Sequence, residues 1–172
     1  MNREDLRHEY RPEEIRILFV AESPPIGGTF FYAGDSNLAR YTKDAFGAAY
    51  RCSTMEMANF LKAFRAAGCY LDDLCLEPVN QLGRPAREAA RGFAVAPLSE
   101  RLRSILPQPQ IIVPMMMTIE THIKQAVELA GLSERLKPPL PFPSMGNQTR
   151  YVTELGRMIH ELREAAILPS EF

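Results

Sequence analysis

A short, mainly apolar run near the start of the chain, Ile15–Val20, limits the fold more than any other feature. Its sequence is IRILFV, and Pro24 and Pro25 follow soon after it and end regular structure. A run of this kind is typical of a strand that is buried on both faces, as the strands of parallel sheets are. Parallel strands need crossover connections, which are usually helices. The run therefore predicts an α/β fold.

Amphipathic helices and further short strands alternate along the rest of the chain. Ser53 and Glu56 have capping-box spacing, which predicts a helix that opens there and ends at Gly68. Other helices are predicted by apolar periodicity and by flanking glycine or proline at 37–50, 85–91, 99–106, 118–130 and 149–166. The remaining strands are predicted at Cys69–Leu76, at Ile111–Val113 and, as a proline-interrupted edge strand, at Leu140–Phe142.

This alternation predicts a three-layer α/β/α sandwich around a short, mainly parallel, four-stranded sheet. The chain has 172 residues, of which 46% are hydrophobic, so it has enough apolar material for one core. We expect residues 1–172 to form a single domain. Ligands of such sheets bind at the carboxyl ends of the strands, so the loops that leave the strands are the expected site.

Charge and cysteine content narrow the class of protein. The formal net charge of −1 argues against a general phosphate-binding surface, and the arginines between Arg84 and Arg103 are most simply a solvated helical face. Three cysteines without close pairing favour a reducing compartment and do not space like a metal site. The charged segment Met1–Glu14 is neither a signal peptide nor an anchor. We expect a cytoplasmic monomer without metal, cofactor or membrane partner.

The loop after the first predicted strand holds the first candidate site residues. Glu22 is its only carboxylate, and a partly buried carboxylate would have a raised pKa and could act as a general base. Three aromatic residues, Phe30 to Tyr32, are unusual in a loop; one or two can pack into the core while another stacks on a planar base. The alternative is a hydrophobic plug without a ligand. Asp72 and Asp73 point to opposite faces of a strand, so at most one faces the site.

A second group of candidates lies just before the last predicted helix. Ser144, Asn147 and Gln148 are polar residues at a helix start, where backbone donors and the helix dipole favour an anion. The simpler interpretation is that Ser144 or Asn147 caps the helix. The run Met115–Met117 is most simply pliable core or pocket lining. The histidines, His8, His122 and His160, lie away from the predicted site.

Together these motifs resemble the uracil-DNA glycosylase superfamily. The similarity is clearest to the group whose first motif reads Gly-Glu-Ala-Pro-Gly and whose last reads His-Pro-Ser. The matching segments are Ala21–Pro25, Tyr70–Leu74 with Pro78–Pro85, Leu102–Val113 and Phe142–Ser144. They cover about residues 15–162, although each motif is short.

The resemblance implies a divergent glycosylase that flips a damaged or modified base out of DNA, stacks it on an aromatic ring and hydrolyses its N-glycosidic bond. The expected partner is DNA or a nucleobase-containing ligand. Catalytic roles are implied for Glu22, Ser23 and Asp73. Base-binding roles are implied for Phe30, Phe31, Asp73 and Phe142. DNA contacts are implied for Pro24, Pro25, Pro143, Ser144, Asn147 and Gln148.

Several motif positions depart from the superfamily. Phe142 replaces the motif histidine, and a phenyl ring cannot donate to the departing base; one such donor is worth about 2.7–4 kcal/mol. Ser23 replaces an aspartate, and Asp73 replaces a base-reading asparagine, so it presents an acceptor alone, or a donor if protonated. The cluster-binding cysteines of the related group are absent. Two alternatives stay open: a non-catalytic nucleobase- or nucleic-acid-binding protein, and a hydrolase of a small substrate.

Overall fold

Residues 2–172, the part of the chain that the computed structural model describes, contain three short strands and six α-helices. The strands are β1 (Ile17–Ala21), β2 (Cys69–Asp73) and β3 (Ile111–Pro114). The helices are α1 (Arg3–Glu9), α2 (Asn37–Tyr50), α3 (Met57–Ala66), α4 (Arg84–Ser104), α5 (Glu120–Ala130) and α6 (Gln148–Glu164). The α/β class predicted from the sequence is confirmed.

The sheet is wholly parallel, and β1 lies between β2 and β3. Every residue of β1 is buried, as expected for a central strand that is covered on both faces. The register pairs Ala21 with Asp73 and Val20 with Pro114. All three strands therefore end at the same edge of the sheet, and the loops that follow them meet there.

The segment after α5 contacts β3 without becoming a strand. Ile112 and Leu136 form one isolated parallel bridge, and the Leu140 N–H donates to the Pro114 carbonyl over 2.9 Å. Prolines at 138, 139 and 141 lack the N–H groups that a continuous ladder needs. The sheet in residues 2–172 thus has three strands, and the expected edge strand at Leu140–Phe142 is not formed.

A single helix, α4, replaces the two helices predicted at 85–91 and 99–106. Pro97 lies inside it, where a proline normally breaks the helix because it cannot donate to the carbonyl four residues earlier. That carbonyl belongs to Phe93, and both residues lie on the exposed face of α4, where the carbonyl can be hydrated. The capping-box prediction is also wrong, since α3 begins only after Glu56 and has no side-chain cap.

Tyr32, the last of the three loop aromatics, covers the outer edge of β2. Its buried hydroxyl donates to the Leu71 carbonyl over 3.0 Å and accepts from the Leu71 N–H over 2.7 Å. Its ring stacks on Tyr10, which follows α1, and on Tyr70. The first loop is thereby fixed against β2.

Helix pairs complete the fold: α2 packs on α6, and α4 packs on α5. The segment around α3 contributes an aromatic cluster in which Phe64 touches Phe19 of β1 and Phe31 of the first loop. None of the helices in residues 2–172 combines the length and the apolar character that crossing a membrane requires.

Candidate functional site

A cavity of about 390 Å³ opens at the edge of the sheet where the strands end. This volume is within the range of small-molecule sites, about 300–1,000 Å³. The site therefore lies where the strand order predicts it. The cavity is lined by residues 21–25, 29–31 and 35–38 and by Leu71, Asp73, Asn80, Arg87, Met116 and Phe142.

The cavity brings together most of the residues that the sequence singled out. Its lining includes all the predicted catalytic and base-binding side chains and the two prolines after β1: Glu22, Ser23, Pro24, Pro25, Phe30, Phe31, Asp73 and Phe142. Four predicted DNA-contacting residues are not part of the lining: Pro143, Ser144, Asn147 and Gln148. Pro143, Ser144 and Asn147 lie on the loop between Phe142 and α6, and Gln148 is the first residue of α6.

Glu22 is held as an ion by two arginines from α4. Its carboxylate is 6% exposed and accepts from the Nε atoms of Arg87 and Arg91, each over 2.7 Å, and also from their Nη2 groups. Burial alone would raise the pKa of Glu22, but these hydrogen bonds and charges outweigh it and hold the pKa below its ordinary value. The expectation of a raised pKa is therefore wrong, and Glu22 is a weak base.

Asp73, at the end of β2, has the opposite electrostatics. It is 2% exposed, and its Oδ2 accepts from Nη2 of Arg7. Burial raises its pKa to about 6, although the charge of Arg7 and its hydrogen bond oppose that shift. Asp72 pairs with Arg7 and Arg101 and is not part of the cavity lining. The lining thus contains one of the two aspartates, in agreement with the expectation that at most one faces the site.

The Phe30 and Phe31 rings belong to the core and also form a wall of the cavity. They are 3% and 4% exposed, and each packs edge-on against Tyr32. Phe30 has a cation on one side, since Cζ of Arg7 is 5.2 Å from its ring centroid. The aromatic loop therefore does both things that the sequence allowed. Tyr32 packs in the hydrophobic core, and Phe30 and Phe31 form part of the cavity wall.

Hydrogen bonds between loops hold the rim of the cavity. The Ser23 hydroxyl accepts from the Val79 N–H over 3.2 Å, which ties the loop after β1 to the loop after β2. Oδ1 of Asp35 accepts from the Phe30 N–H over 2.7 Å and closes the aromatic loop. Ser23 thus has a structural partner in addition to its place in the lining.

The loop between Phe142 and α6 projects an apolar side chain. Met145 is 97% exposed and has a positive φ of 51°, a conformation that a non-glycine residue rarely adopts. Asn147 occupies the position before α6, but its side chain makes no capping hydrogen bond. The exposed position of Met145 is therefore explained neither by a side-chain cap on α6 nor by packing in the core.

Sequence reasoning missed the arginines of the site. Arg7 belongs to no recognisable motif, and its contacts with Asp72 and Asp73 come only from the tertiary fold. Arg87 and Arg91 were visible as part of an arginine cluster, but that cluster is not simply a solvated face, because Arg91 is buried. Their spacing of one helical turn was the available signal.

His122 lies in the first turn of α5, not in the middle of a helix as the sequence predicted, because α5 begins only at Glu120. It extends the charge network away from the cavity. Its Nε2 is 3.2 Å from Glu88, which also pairs with Arg91 over 3.1 Å. In the described residues, no group of three or more histidine, cysteine or acidic side chains is arranged to hold a metal ion.

No protein-family model matches the chain, and no curated protein matches its sequence. The function of the cavity is therefore inferred from its geometry and chemistry.

Proposed function

We propose that this chain is a divergent uracil-DNA glycosylase-like protein, which takes a nucleobase flipped from DNA into the cavity and hydrolyses its N-glycosidic bond. The observation that carries this proposal is the convergence of Glu22, Phe31, Asp73 and Phe142 on one cavity. These residues come from the ends of two strands and from two distant loops. A nucleobase needs such a combination of flat apolar walls and a few polar groups.

The proposed fold is the four-stranded, three-layer sandwich of that superfamily. Its support is the contact between β3 and residues 136–140, which adds a parallel bridge and two backbone hydrogen bonds beyond the three strands. In this proposal the prolines shorten the fourth strand to a fragment. The helix pairs α2–α6 and α4–α5 then supply the two outer layers.

Within the cavity, the proposal gives different tasks to the two carboxylates. Asp73 hydrogen-bonds to the edge of the base. Glu22, which is ionised, positions the attacking water through Oε2, the oxygen that accepts only from Nη2 of Arg87. A weak base is sufficient when the transition state resembles an oxocarbenium ion, because bond breaking to the departing base then precedes strong attack by water.

The loop that carries Met145 is proposed to enter the duplex. An exposed apolar side chain can fill the gap that a flipped base leaves in the stack, as wedge residues of minor-groove proteins do. Met145 is exposed, and its loop follows Phe142 of the cavity lining by three residues. Ser144 and Asn147 on the same loop are then available for phosphate contacts.

A second candidate function is binding of a nucleobase without hydrolysis. Two observations favour it: both oxygens of Glu22 are engaged by arginines, and Phe142 offers no hydrogen bond to a departing base. The cavity and its aromatic wall would bind a nucleobase in the same way whether or not hydrolysis follows.

The experiment is a panel of fluorescent oligonucleotides, single-stranded and duplex, each carrying one uracil, hypoxanthine, xanthine or mismatched base. Abasic product is scored after alkaline cleavage, and binding is measured by anisotropy on the same strands. The variants are Glu22→Gln and Asp73→Ala, with Glu161→Gln on the exposed face of α6 as the matched control.

Product that disappears in Glu22→Gln and Asp73→Ala but not in Glu161→Gln supports hydrolysis. Binding without product, lost only in Asp73→Ala, supports the second candidate. Neither binding nor product with any strand overturns both.

A further inference from the structure

The N-terminal helix α1 lies against the cavity loops and sends one buried side chain to the site. Arg7 is 5% exposed, and its guanidinium pairs with Asp73 through Nη2 and with Asp72 through Nη1, the latter over 3.4 Å. Arg3, one turn earlier, donates to the Pro25 carbonyl. Arg7 therefore touches both the carboxylate and, through Phe30, the aromatic wall of the cavity.

The two carboxylate oxygens of Asp73 are not equivalent. Oδ2 accepts from Arg7, whereas Oδ1 has no hydrogen-bond partner among residues 2–172. Asp73 is almost fully buried and lines the cavity. An acceptor oxygen that faces a cavity and has no protein partner is a hydrogen-bonding position that a ligand in the cavity can satisfy.

The charges around Asp73 decide what Oδ1 can bind. Arg7 from α1 faces the carboxylate, Arg101 from α4 donates to the Asp73 carbonyl over 2.6 Å, and Asp72 is a neighbouring anion. The positive charges of Arg7 and Arg101 favour the ionised form of the Asp73 carboxyl group. An ionised carboxylate only accepts hydrogen bonds.

Nucleobases differ in what they offer to such an acceptor. Cytosine and adenine carry an exocyclic amino group, which is a donor that projects beyond the ring. In uracil and hypoxanthine a carbonyl oxygen takes its place, and their ring N–H lies beside that oxygen. Binding through the ring N–H would bring the carbonyl close to an anionic carboxylate, and two acceptors would then face each other.

We propose that Arg7 is a positioning residue that keeps Asp73 an ionised acceptor, and that the cavity consequently binds amino-bearing nucleobases in preference to their keto counterparts. This inference rests on the proposed function, because it requires a nucleobase in the cavity. It adds the substrate class and a role for the N-terminal helix.

The test compares bases that differ only by amino and keto groups. Oligothymidylates carry one central cytosine, uracil, adenine or hypoxanthine, and affinity is measured by fluorescence anisotropy at pH 7.5. We expect cytosine to bind about tenfold more tightly than uracil, and adenine about tenfold more tightly than hypoxanthine, the usual worth of one discriminating contact.

Three variants separate a positioning role from a structural one. Arg7→Met removes the charge that favours ionised Asp73, so the amino preference should fall at least about fivefold, while Arg7→Lys keeps the charge and the preference. A merely structural Arg7 would weaken all four strands equally and leave the ratios unchanged, which would overturn its role. Asp73→Asn introduces a donor, so it should favour the keto bases; this variant tests the inference even when Arg7→Met does not fold.

The wild-type result also separates this inference from the proposed function. If uracil and hypoxanthine bind as tightly as cytosine and adenine, or more tightly, the amino preference is wrong and the proposed function stands. If none of the four strands binds, the proposed function is wrong and this inference falls with it.

Discussion

Arg91 binds Glu22 and Glu88 with the same guanidinium group, so a carboxylate in the cavity wall is linked to a carboxylate on the surface of α4. The Nε atom donates to Glu22 over 2.7 Å, and Nη1 donates to Glu88 over 3.1 Å. Arg87 reaches Glu22 from one turn earlier in the helix. The position of α4 relative to β1 is therefore fixed by buried charge as well as by apolar contact.

Replacing Arg91 by methionine should destabilise the protein by about 3 kcal/mol or more, because Glu22 then stays buried with one partner fewer. Arg87→Met is the matched control; its side chain is more exposed, and we expect a loss of about 1 kcal/mol. Urea unfolding at pH 7.5 measures both. Equal losses in the two variants would contradict the unequal burial on which this expectation depends.

The raised pKa of Asp73 predicts an unusual pH dependence of stability. The folded-state pKa is about 6 and the ordinary value is 3.8, so the folded state binds the proton more readily between these values. The stabilisation from this group is complete below about pH 3.8 and is lost as the pH rises through about 6. Arg7, Asp72 and Arg101 are the charged groups that face it.

Asp73→Asn removes this titration. The unfolding free energy of the variant minus that of the wild type should therefore increase from pH 4.5 to pH 6.5 and be constant above about pH 7. Urea unfolding across this range is the measurement. Glu22 titrates in both proteins and cancels in the difference. A difference that does not change with pH would show that Asp73 has an ordinary pKa.

Under the proposed glycosylase function, Phe142→His should increase the rate of base excision on the oligonucleotide of the panel that yields abasic product. A histidine there can donate to the oxygen of the departing base, and one well-placed donor is worth about 10²–10³ in rate. We expect a gain of at least about tenfold in single-turnover formation of abasic product. Phe142→Leu is the control and should show no gain. A folded Phe142→His variant without any gain would mean that residue 142 does not face the departing base.

Met145→Ala should weaken binding to a duplex that carries a mismatched base by about tenfold. In the proposed complex the Met145 side chain fills the gap left by the flipped base and so offsets the unstacking cost of a few kcal/mol. Binding to the single strand with the same sequence should change little. Stability should stay within about 0.5 kcal/mol, since the side chain is exposed. An equal loss of affinity for both DNA forms would argue against insertion into the duplex.

Tyr32→Phe tests the contact between the aromatic loop and β2. The variant leaves the buried N–H and C=O groups of Leu71 without the hydroxyl, and each such group costs about 1–3 kcal/mol. The control is Tyr41→Phe on α2, a half-buried tyrosine whose hydroxyl makes no hydrogen bond within residues 2–172. Thermal and urea unfolding should show a large loss in the first variant and almost none in the second.

Local patterns in the sequence were sufficient to place the three strands of the sheet and the edge at which the cavity opens, but they also predicted a fourth strand at Leu140–Phe142 that is not formed. The apolar run at Ile15–Val20 identified β1, and the rule for strand ends in parallel sheets located Glu22 and Asp73 at the same edge. The predictions that were wrong concern features that depend on hydration or on residues far away in the sequence. Pro97 continues α4 because the carbonyl that it leaves unpaired faces water, and helix signals do not contain that information.

The pKa shifts of the two site carboxylates could not be predicted from the sequence either. Glu22 and Asp73 are both buried carboxylates, yet their pKa values move in opposite directions. At Asp73 burial dominates and raises the pKa, whereas at Glu22 the hydrogen bonds and charges of two guanidinium groups outweigh burial and lower it. The Asp73 carboxylate accepts from one guanidinium group. Those arginines come from α1 and α4, and no spacing rule connects Arg7 with Asp73 across 66 positions.

The hydrogen bonds between the Tyr32 hydroxyl and the Leu71 backbone also affect how readily a second copy of the chain can pair with β2. An outer strand such as β2 normally exposes a row of free backbone groups, which another polypeptide can extend into a larger intermolecular sheet. Here the groups of Leu71 are already occupied, and on the far side β3 meets a segment in which prolines interrupt the donors. Tyr32 and the prolines thereby remove open backbone groups from both borders of the sheet, which disfavours its extension by another polypeptide.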